Sequence, residues 1–243
     1  ILESVKKLLD SKEEKWEPGK DMVKYAGPYF DSSEITSAIE SLLDGWLVMG
    51  KKCMKFEKLF PRQFDKKYGV LTNSGSSSNL LMMAALKSKR TFEFPDGTKV
   101  LTPIAGFPTT LNPILQHRME PVFVDIEQDS LNLDLYEVEK KLIQNPDIRI
   151  ITFAHVLGNP PDMDRLMNIV DKYSLILLED CCDALGSTYD GKPLGSFGEM
   201  ASCSFYPAHH MTMGEGGFVA CRDEHIETVV RSFREWGRGC YCV

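Results

Sequence analysis

Short runs of β-branched and aliphatic residues recur along the chain, and segments with helical periodicity separate them. This alternation is typical of an α/β protein whose mainly parallel sheet carries helices on its faces. We predict seven strands, at 69–72, 99–103, 121–125, 148–154, 174–179, 200–205 and 217–221. Helices are predicted at 31–47, at 54–67, from 76 onward, and at 133–143, 163–172 and 224–236. Ser32 or Ser33 is expected to cap the first of these helices.

Composition narrows the classes of function. Hydrophobic residues make up 43% of the 243 residues, and the formal net charge is −7. An acidic chain of this kind is a poor partner for nucleic acid or for an anionic membrane. No run approaches the roughly 20 apolar residues of a membrane span, and the first residues lack a signal-peptide pattern. We therefore expect a cytoplasmic protein with no nucleic-acid or membrane partner.

Two predicted strands end in residues that are candidates for ligand binding. The strand at 69–72 is followed by the small-residue turn NSGSSS at 73–78 and then by a helix, so backbone N–H groups can approach a phosphate. An ordinary serine-rich N-cap turn is the alternative interpretation. The apolar run SLILLED ends in Glu179 and Asp180. Because ligands of doubly wound sheets bind beyond the carboxyl ends of the strands, both ends are expected at one site.

The most specific motif has a histidine at its centre. The segment SFYPAHHMTMGEGG at 204–217 resembles the SFxxxKxxxxGEGG stretch of the DegT-type nucleotide-sugar aminotransferases, with His209 where that family has its cofactor lysine. Imidazole cannot form the imine that tethers pyridoxal phosphate, although it can take and return a proton. The resemblance is therefore to the 3-dehydrase branch, whose members hold an amine form of the cofactor without a covalent link. It extends from about residue 24 to the end of the chain.

This resemblance implies the three-layer large domain of the fold-type I pyridoxal phosphate enzymes, with a mainly parallel seven-stranded sheet. The large domain would cover 24–243 and follow an extension at 1–23. The chain is expected to be the N-terminal portion of a longer protein, without the small C-terminal domain of its relatives. The implied catalytic base is His209, and the exposed turn lysine Lys192 is no substitute for the missing one.

The resemblance also implies a set of cofactor contacts. The phosphate would be held by Gly75, Ser76 and Ser204, and the cofactor ring would stack on Phe107. A carboxylate against the pyridine nitrogen keeps that nitrogen protonated, and Asp180 matches this partner. Asp183 is also assigned to the cofactor site. It stands where transaminating relatives often have Gln or His, so its role is left open.

Three cysteines have a spacing that suggests a metal cluster. Cys182, Cys240 and Cys242 read C-x57-C-x-C, and thiolates grouped in this way bind iron–sulfur clusters or zinc. The 3-dehydrase branch carries a [2Fe–2S] cluster on C-x57-C-x-C-x7-C, so the resemblance implies three of four ligands, with the fourth beyond Val243. The remaining cysteines are interpreted as small buried residues: Cys53, Cys181, Cys203 and Cys221.

The implied activity is the removal of the C3 hydroxyl from a nucleotide-linked 4-keto-6-deoxyhexose, CDP-linked in the matching branch, with pyridoxamine phosphate as cofactor. The cluster would pass electrons from an NAD(P)H-dependent iron–sulfur flavin reductase, and the enzyme would be a homodimer. One alternative is a dehydratase without a cluster that regenerates its cofactor from glutamate. Others are a catalytically silent relative that only binds a ligand, a zinc protein, and a true sugar aminotransferase, which would need the lysine.

Overall fold

The computed structural model describes residues 1–11, 16–24 and 26–239. Within these ranges, seven strands form one sheet and two short strands form a separate hairpin. In chain order the strands are β1 (Tyr68–Thr72), β2 (Lys99–Pro103), β3 (Glu120–Val124), β4 (Ile148–Ala154), β5 (Ile176–Asp180), β6 (Thr188–Tyr189), β7 (Lys192–Pro193), β8 (Met200–Ser204) and β9 (Gly217–Cys221).

The large sheet has the strand order β1-β9-β8-β5-β4-β2-β3. Its four pairs from β8 to β3 are parallel. Strand β9 runs antiparallel to both of its neighbours, β1 and β8. The seven strands predicted from the sequence are all present and their arrangement is mainly parallel, so both predictions are confirmed.

Helices connect the strands and cover both faces of the sheet. The α-helices of the described ranges are α1 (Leu2–Asp10), α2 (Ser32–Leu43), α3 (Lys51–Leu59), α4 (Gly75–Lys87), α5 (Pro108–Gln116), α6 (Leu135–Gln144), α7 (Met163–Tyr173) and α8 (Glu224–Arg234). Two short 3₁₀ segments lie at Phe60–Phe64 and Val156–Gly158.

The core lies in two layers, one on each side of the sheet. On one side α4, α5 and α8 bury Met82, Ile114 and Val229 against the strands. On the other side α6 and α7 bury Val138 and Leu166. Strands covered on both faces are apolar on both faces, which explains the near-continuous hydrophobic runs of the sequence. The three-layer α/β fold is thereby confirmed.

A cluster of aromatic rings anchors the end of β8. The ring of Phe60 lies 5.2 Å from that of Phe205 and 5.0 Å from that of Phe218, in edge-on geometry. Phe205 is the first residue after β8 and is fully buried. The loop that follows it therefore begins from a fixed point.

Several helix boundaries differ from the prediction. Asp31 caps α2, rather than Ser32 or Ser33: its carboxylate accepts from the N–H of Ser33 at 2.6 Å, and Glu34 accepts from the N–H of Asp31 at 2.8 Å. This reciprocal capping box satisfies two N–H groups at once, which neither serine alone would do. The helix predicted at 54–67 ends early, because Pro61 follows it and the chain tightens into a 3₁₀ turn.

Helix α1, helix α5 and the β6–β7 hairpin were not predicted. Helix α5 begins with Pro108 at its first turn and contains Pro113, a pattern that reads as a loop in the sequence. The segment at 191–193, predicted as a surface turn, contributes Lys192–Pro193 to the β6–β7 hairpin. Its turn uses left-handed backbone at Asp190 and Gly191.

The first helix stays outside the core. Helix α1 packs against α2 and contributes no buried residue. The division of the chain into an extension at 1–23 and a large domain at 24–243 stays a prediction. Within the described residues, no helix is both long and apolar enough to cross a membrane.

Candidate active site

A cavity of about 540 Å³ opens at the carboxyl edge of the sheet. Chain segments that follow β1, β2, β5 and β8 form its walls, as expected for a doubly wound sheet. The predicted site residues that it brings together are Gly75, Ser76, Phe107, Asp180, Cys182, Asp183, Ser204 and His209. The two remaining predicted ligands, Cys240 and Cys242, lie outside the described residues.

One wall of this cavity is the N-terminus of α4. The Ser74 hydroxyl caps the helix by accepting from the N–H of Ser77 at 3.1 Å. Gly75 and Ser76 are the first two helical residues, so their N–H groups have no acceptor within the helix. Two free N–H groups at the positive end of a helix are suited to an anion such as a phosphate.

Close packing at this turn requires glycine. A Cβ on Gly75 would lie 2.6 Å from the Cβ of Ser204 and 2.8 Å from the Sγ of Cys182. No side chain fits there, so the backbone of the turn stays in direct contact with the cavity. The Ser204 hydroxyl, which faces the same turn, accepts from the N–H of Tyr206 at 3.3 Å and can donate its own proton to an anion.

A buried carboxylate lies opposite this turn. Asp180 ends β5 and is 4% exposed. Its Oδ2 atom accepts from Asn79 Nδ2 at 2.7 Å and from Thr110 Oγ1 at 2.8 Å. Its Oδ1 atom accepts from the N–H of Cys182 at 3.1 Å and from Ser202 Oγ at 3.2 Å. A carboxylate held by four donors accepts only, which fits a partner that carries a proton.

His209 and Asp183, the acid whose role the sequence left open, form a hydrogen-bonded pair. The Nδ1 atom of His209 lies 3.1 Å from the Oδ1 atom of Asp183. The side chain of His209 is 21% exposed and that of Asp183 is 48% exposed, so the pair borders the mouth of the cavity. The hydrogen bond with His209 lowers the pKa of the Asp183 carboxyl below its ordinary value. The adjacent His210 is exposed and does not line the cavity.

Phe107 also lies at this cavity. Its ring is 68% exposed, which is unusual for an aromatic side chain and leaves a flat apolar face open to a ligand. Ala154, at the end of β4, lines the same cavity. Among the described residues that line it, none is a lysine, and Lys192 is exposed in the hairpin.

The sequence matches the DegT/DnrJ/EryC1/StrS aminotransferase family over residues 28–240. The chain belongs to this family. The "lipopolysaccharide biosynthesis protein RfbH" of Salmonella typhimurium is 42% identical over 92% of this chain and 51% of its own length. The "dTDP-4-dehydro-2,6-dideoxy-D-glucose 3-dehydratase" of Saccharopolyspora spinosa is 38% identical over 92% of this chain and 48% of its own length. The chain thus spans about half the length of these relatives.

A solved structure shares the fold. A crystal structure of GDP-4-keto-6-deoxymannose-3-dehydratase with a trapped PLP-glutamate geminal diamine superimposes with a TM-score of 0.82 and 32% sequence identity. The match covers 89% of this chain and 55% of that one. The resemblance to the DegT-type family, stated from the motif at 204–217, is confirmed.

In this DegT-family chain the Cys182 thiol lies inside the cofactor-type cavity rather than on the surface. It lies beside Gly75, and burial, together with the nearby Asp180 carboxylate, raises the pKa of the thiol well above its ordinary value. The thiol is therefore protonated at neutral pH, and a metal that bound it would have to displace the proton. Of the other cysteines, Cys181, Cys203 and Cys221 are buried as predicted, whereas Cys53 is only partly buried.

Sequence reasoning missed the partners of Asp180. Asn79, Thr110 and Ser202 come from three different elements, and only the fold brings them to one carboxylate. Two weak signals existed. Asn79 is a polar residue in an apolar helix, one turn after Gly75, and Ser202 lies on the same strand face as Ser204.

The acid beside Asp180 has a different role. Glu179 points to the opposite face of the sheet, where it is fully buried. It accepts from the N–H groups of Gly195, Phe197 and Gly198 at 2.7, 2.9 and 2.6 Å, and its Oε1 lies 3.1 Å from His155 Nε2. Glu179 therefore fixes the loop before β8 and does not reach the cavity.

Proposed function

We propose that the protein removes the C3 hydroxyl of a nucleotide-linked 4-keto-6-deoxyhexose, with pyridoxamine phosphate as its cofactor. The observation that carries the proposal is the pair of His209 and Asp183 in a cavity that also holds a helix N-terminus and a buried carboxylate. The names of the relatives, two of which are sugar 3-dehydratases, point the same way.

The described residues fit this cofactor. The N–H groups of Gly75 and Ser76 and the hydroxyl of Ser204 would hold the phosphate, in a cradle that a Cβ on Gly75 would fill. Phe107 would cover one face of the ring, and Asp180 would pair with the ring nitrogen. When bound, pyridoxamine phosphate supplies an amine for the sugar ketone and a protonated ring that accepts electrons.

His209 would act as the base. Its Nδ1 atom faces Asp183, so in the neutral imidazole Nδ1 carries the proton and Nε2 has the free lone pair. Nε2 would take a proton from the cofactor carbon that bears the amine. Asp183, ionised because its pKa is lowered, would hold the ring in this tautomer and stabilise the imidazolium that forms.

The composition of the cavity wall favours this reaction over transamination. A lysine amine would capture the aldehyde form of the cofactor, whereas imidazole cannot. Among the described residues of the wall there is no lysine to do so. The cofactor would therefore be held by the phosphate cradle, Phe107 and Asp180 alone.

The proposal is tested by replacing the base. His209→Asn should lower the rate of dehydration by about 10²- to 10⁴-fold, the usual contribution of a general base, while pyridoxamine phosphate still binds. His210→Asn, a change of the same kind at an exposed neighbour, is the matched control and should leave the rate near that of the unaltered protein. Dehydration by His209→Asn at an undiminished rate would refute the assignment of the base.

We further propose a CDP-linked substrate and a [2Fe–2S] cluster with Cys182, Cys240 and Cys242 as three of its ligands. Support for both comes from the C-x57-C-x-C spacing and the resemblance that this spacing carries. Of the three cysteines, Cys182 lines the cavity.

The cluster would pass electrons one at a time from an NAD(P)H-dependent iron–sulfur flavin reductase. Iron and acid-labile sulfide should then be found in anaerobically reconstituted protein and be lost in Cys182→Ser. Formation of the 3-deoxy sugar should require the reductase and NAD(P)H. Zinc instead of iron would contradict this completion of the reaction but not the dehydration step.

A hydrolytic completion is the second candidate, because the structure of the GDP-4-keto-6-deoxymannose dehydratase holds a PLP-glutamate adduct. That route would release ammonia and a deoxy ketosugar, and glutamate would regenerate the amine cofactor. Ammonia formed in proportion to glutamate consumed, without added reductase, would select this route.

We also infer a homodimer. The end of α2 and the segment after it expose apolar side chains that a second copy would cover, among them Leu43, Trp46 and Leu47. Sedimentation velocity should show a dimer, and Trp46→Glu should shift it toward the monomer. A monomer at micromolar concentration would contradict the inference.

A further inference from the structure

Asn79 is a buried amide at the centre of the fold, outside the residues to which a role has been given so far. It lies on α4, one turn after Gly75, and is 5% exposed. Its Nδ2 atom donates to Asp180 Oδ2 at 2.7 Å, the shortest of the four hydrogen bonds to that carboxylate.

The other end of this amide is unsatisfied. Asn79 Oδ1 is buried and has no hydrogen-bond partner among the residues that the structure describes. A buried acceptor without a partner is destabilising, and an apolar side chain of similar size would avoid that cost. The compensating interaction of Asn79 is its hydrogen bond to the Asp180 carboxylate.

Two donors share Asp180 Oδ2, and they differ in mobility. Thr110 bonds through a hydroxyl, which can rotate and donate elsewhere. The amide of Asn79 is fixed by its place on a packed helix. When the N–H of a cofactor ring approaches Oδ2, the Thr110 hydroxyl can rotate away and lose its hydrogen bond, whereas Asn79 keeps its hydrogen bond to Oδ2.

We propose that Asn79 is a positioning residue that keeps Oδ2 of the Asp180 carboxylate aimed at the ring nitrogen of the cofactor. The proposal rests on the proposed function. A protonated ring nitrogen is what makes the ring an electron acceptor, so Asn79 would control the reactivity of a cofactor that it does not touch.

The test is the protonation state of the ring. Pyridoxamine phosphate labelled with ¹⁵N in the ring should show a pyridinium ¹⁵N shift in the unaltered protein and in the remote control Asn145→Leu. In Asn79→Leu the shift should move toward that of neutral pyridine, and dehydration should slow by about 10- to 100-fold, the scale seen for groups that orient the ligands of a site. In Thr110→Val the shift should stay that of pyridinium.

The outcomes separate the two proposals. A circular-dichroism melting curve establishes that Asn79→Leu is folded; if it is not, Asn79→Ala replaces it in the same measurement. A pyridinium shift that persists in the folded variant overturns the role of Asn79 and leaves the proposed function intact. A neutral ring in Thr110→Val as well would overturn the assignment of the role to Asn79. If the unaltered protein does not bind pyridoxamine phosphate, both proposals fall.

Discussion

The Nδ1 atom of His209 lies 3.1 Å from the Oδ1 atom of Asp183, across the mouth of a cavity that holds a second, deeper carboxylate. The two acids have different surroundings. Asp180 is buried and fully hydrogen-bonded, whereas Asp183 is about half exposed and faces one imidazole. Under the proposed function, this difference suits the first to a fixed charge and the second to a group that responds when His209 gains a proton.

Asp183→Asn should therefore slow dehydration without preventing cofactor binding. The amide keeps the shape of the side chain but leaves the imidazolium without a counter-charge, and it can orient the ring in the wrong tautomer. We expect a loss of about 10²-fold in single-turnover rate. Asp190→Asn, in the β6–β7 turn away from the cavity, is the control and should behave as the unaltered protein does. An equal loss in both variants would contradict the role of Asp183.

The same pair should be visible in a titration. His209 lowers the pKa of the Asp183 carboxyl, so His209→Asn should raise it toward the ordinary value of 3.8. The lowered pKa means that the contact stabilises the fold above about pH 3.8 and that this contribution is lost as the pH falls through the lower folded value. Carbon-13 NMR of labelled aspartate side chains measures the change, and an unaltered titration curve would show that the pair does not form in solution.

Gly75→Ala should abolish phosphate binding. The added Cβ would lie 2.6 Å from the Cβ of Ser204 and 2.8 Å from Cys182 Sγ, so the turn must move. We expect a loss of about 1–3 kcal/mol in the free energy of unfolding and no detectable binding of pyridoxamine phosphate by fluorescence. Gly106→Ala is the matched control, because a Cβ there meets no atom within 4 Å.

Glu179→Gln should destabilise the fold without touching the cavity. Burial alone would raise the pKa of Glu179, but the hydrogen bond from His155 and the backbone donors hold it below its ordinary 4.5. The NH₂ group of the new amide would face buried N–H donors. We expect the free energy of unfolding, measured by urea denaturation at pH 7, to fall by about 3 kcal/mol. This difference should be fully present above pH 4.5 and shrink as the pH falls through the lower folded pKa. Glu137→Gln, on the exposed face of α6, should change stability by less than about 1 kcal/mol.

The ion pairs of Glu57 are more deeply buried than those of Glu139, so their removal should cost more stability. Glu57 lies between Arg231 and Arg234 at 2.7 and 2.5 Å, and all three side chains are at most 15% exposed. Glu57→Ala would leave both guanidinium groups and the N–H of Leu71 without this acceptor, at a cost of about 3 kcal/mol. Glu139→Ala breaks pairs that are more exposed and should cost less than about 1 kcal/mol. Equal losses would contradict the dependence on burial.

Strands were well predicted because their signal is local. The bounds of β2, β4 and β9 coincide with the predicted ranges, since each is a short apolar run between turns or polar residues. Helix α5 was missed because two prolines hide its periodicity. The predicted cap of α2, Ser32 or Ser33, was wrong, because Asp31 caps that helix. Motif positions such as Asp180 and His209 could be placed from resemblance.

The contacts within the site could not be derived from the sequence. Asp180 and its partner Asn79 are 101 positions apart, and His209 is 26 positions from Asp183. Such pairs depend on which helix lies over which strand and on side-chain rotamers, and neither is encoded in a local pattern. Asp183 was therefore placed at the site without a role, and its pairing came from the fold.

The antiparallel direction of strand β9 determines how the loop that carries His209 is held. Because β8 ends and β9 begins at the same edge, the loop that carries His209 leaves the sheet and returns to it at adjacent points. Hydrogen bonds between Phe205 and Gly216, at 2.9 Å, and between Met213 and Phe205, at 3.0 Å, close its neck. His209 thus lies on a loop that is closed at its neck. Because Gly217 at the end of this loop pairs with Thr72 of β1, a hinge motion elsewhere in the chain would move His209 and the turn at 73–75 together.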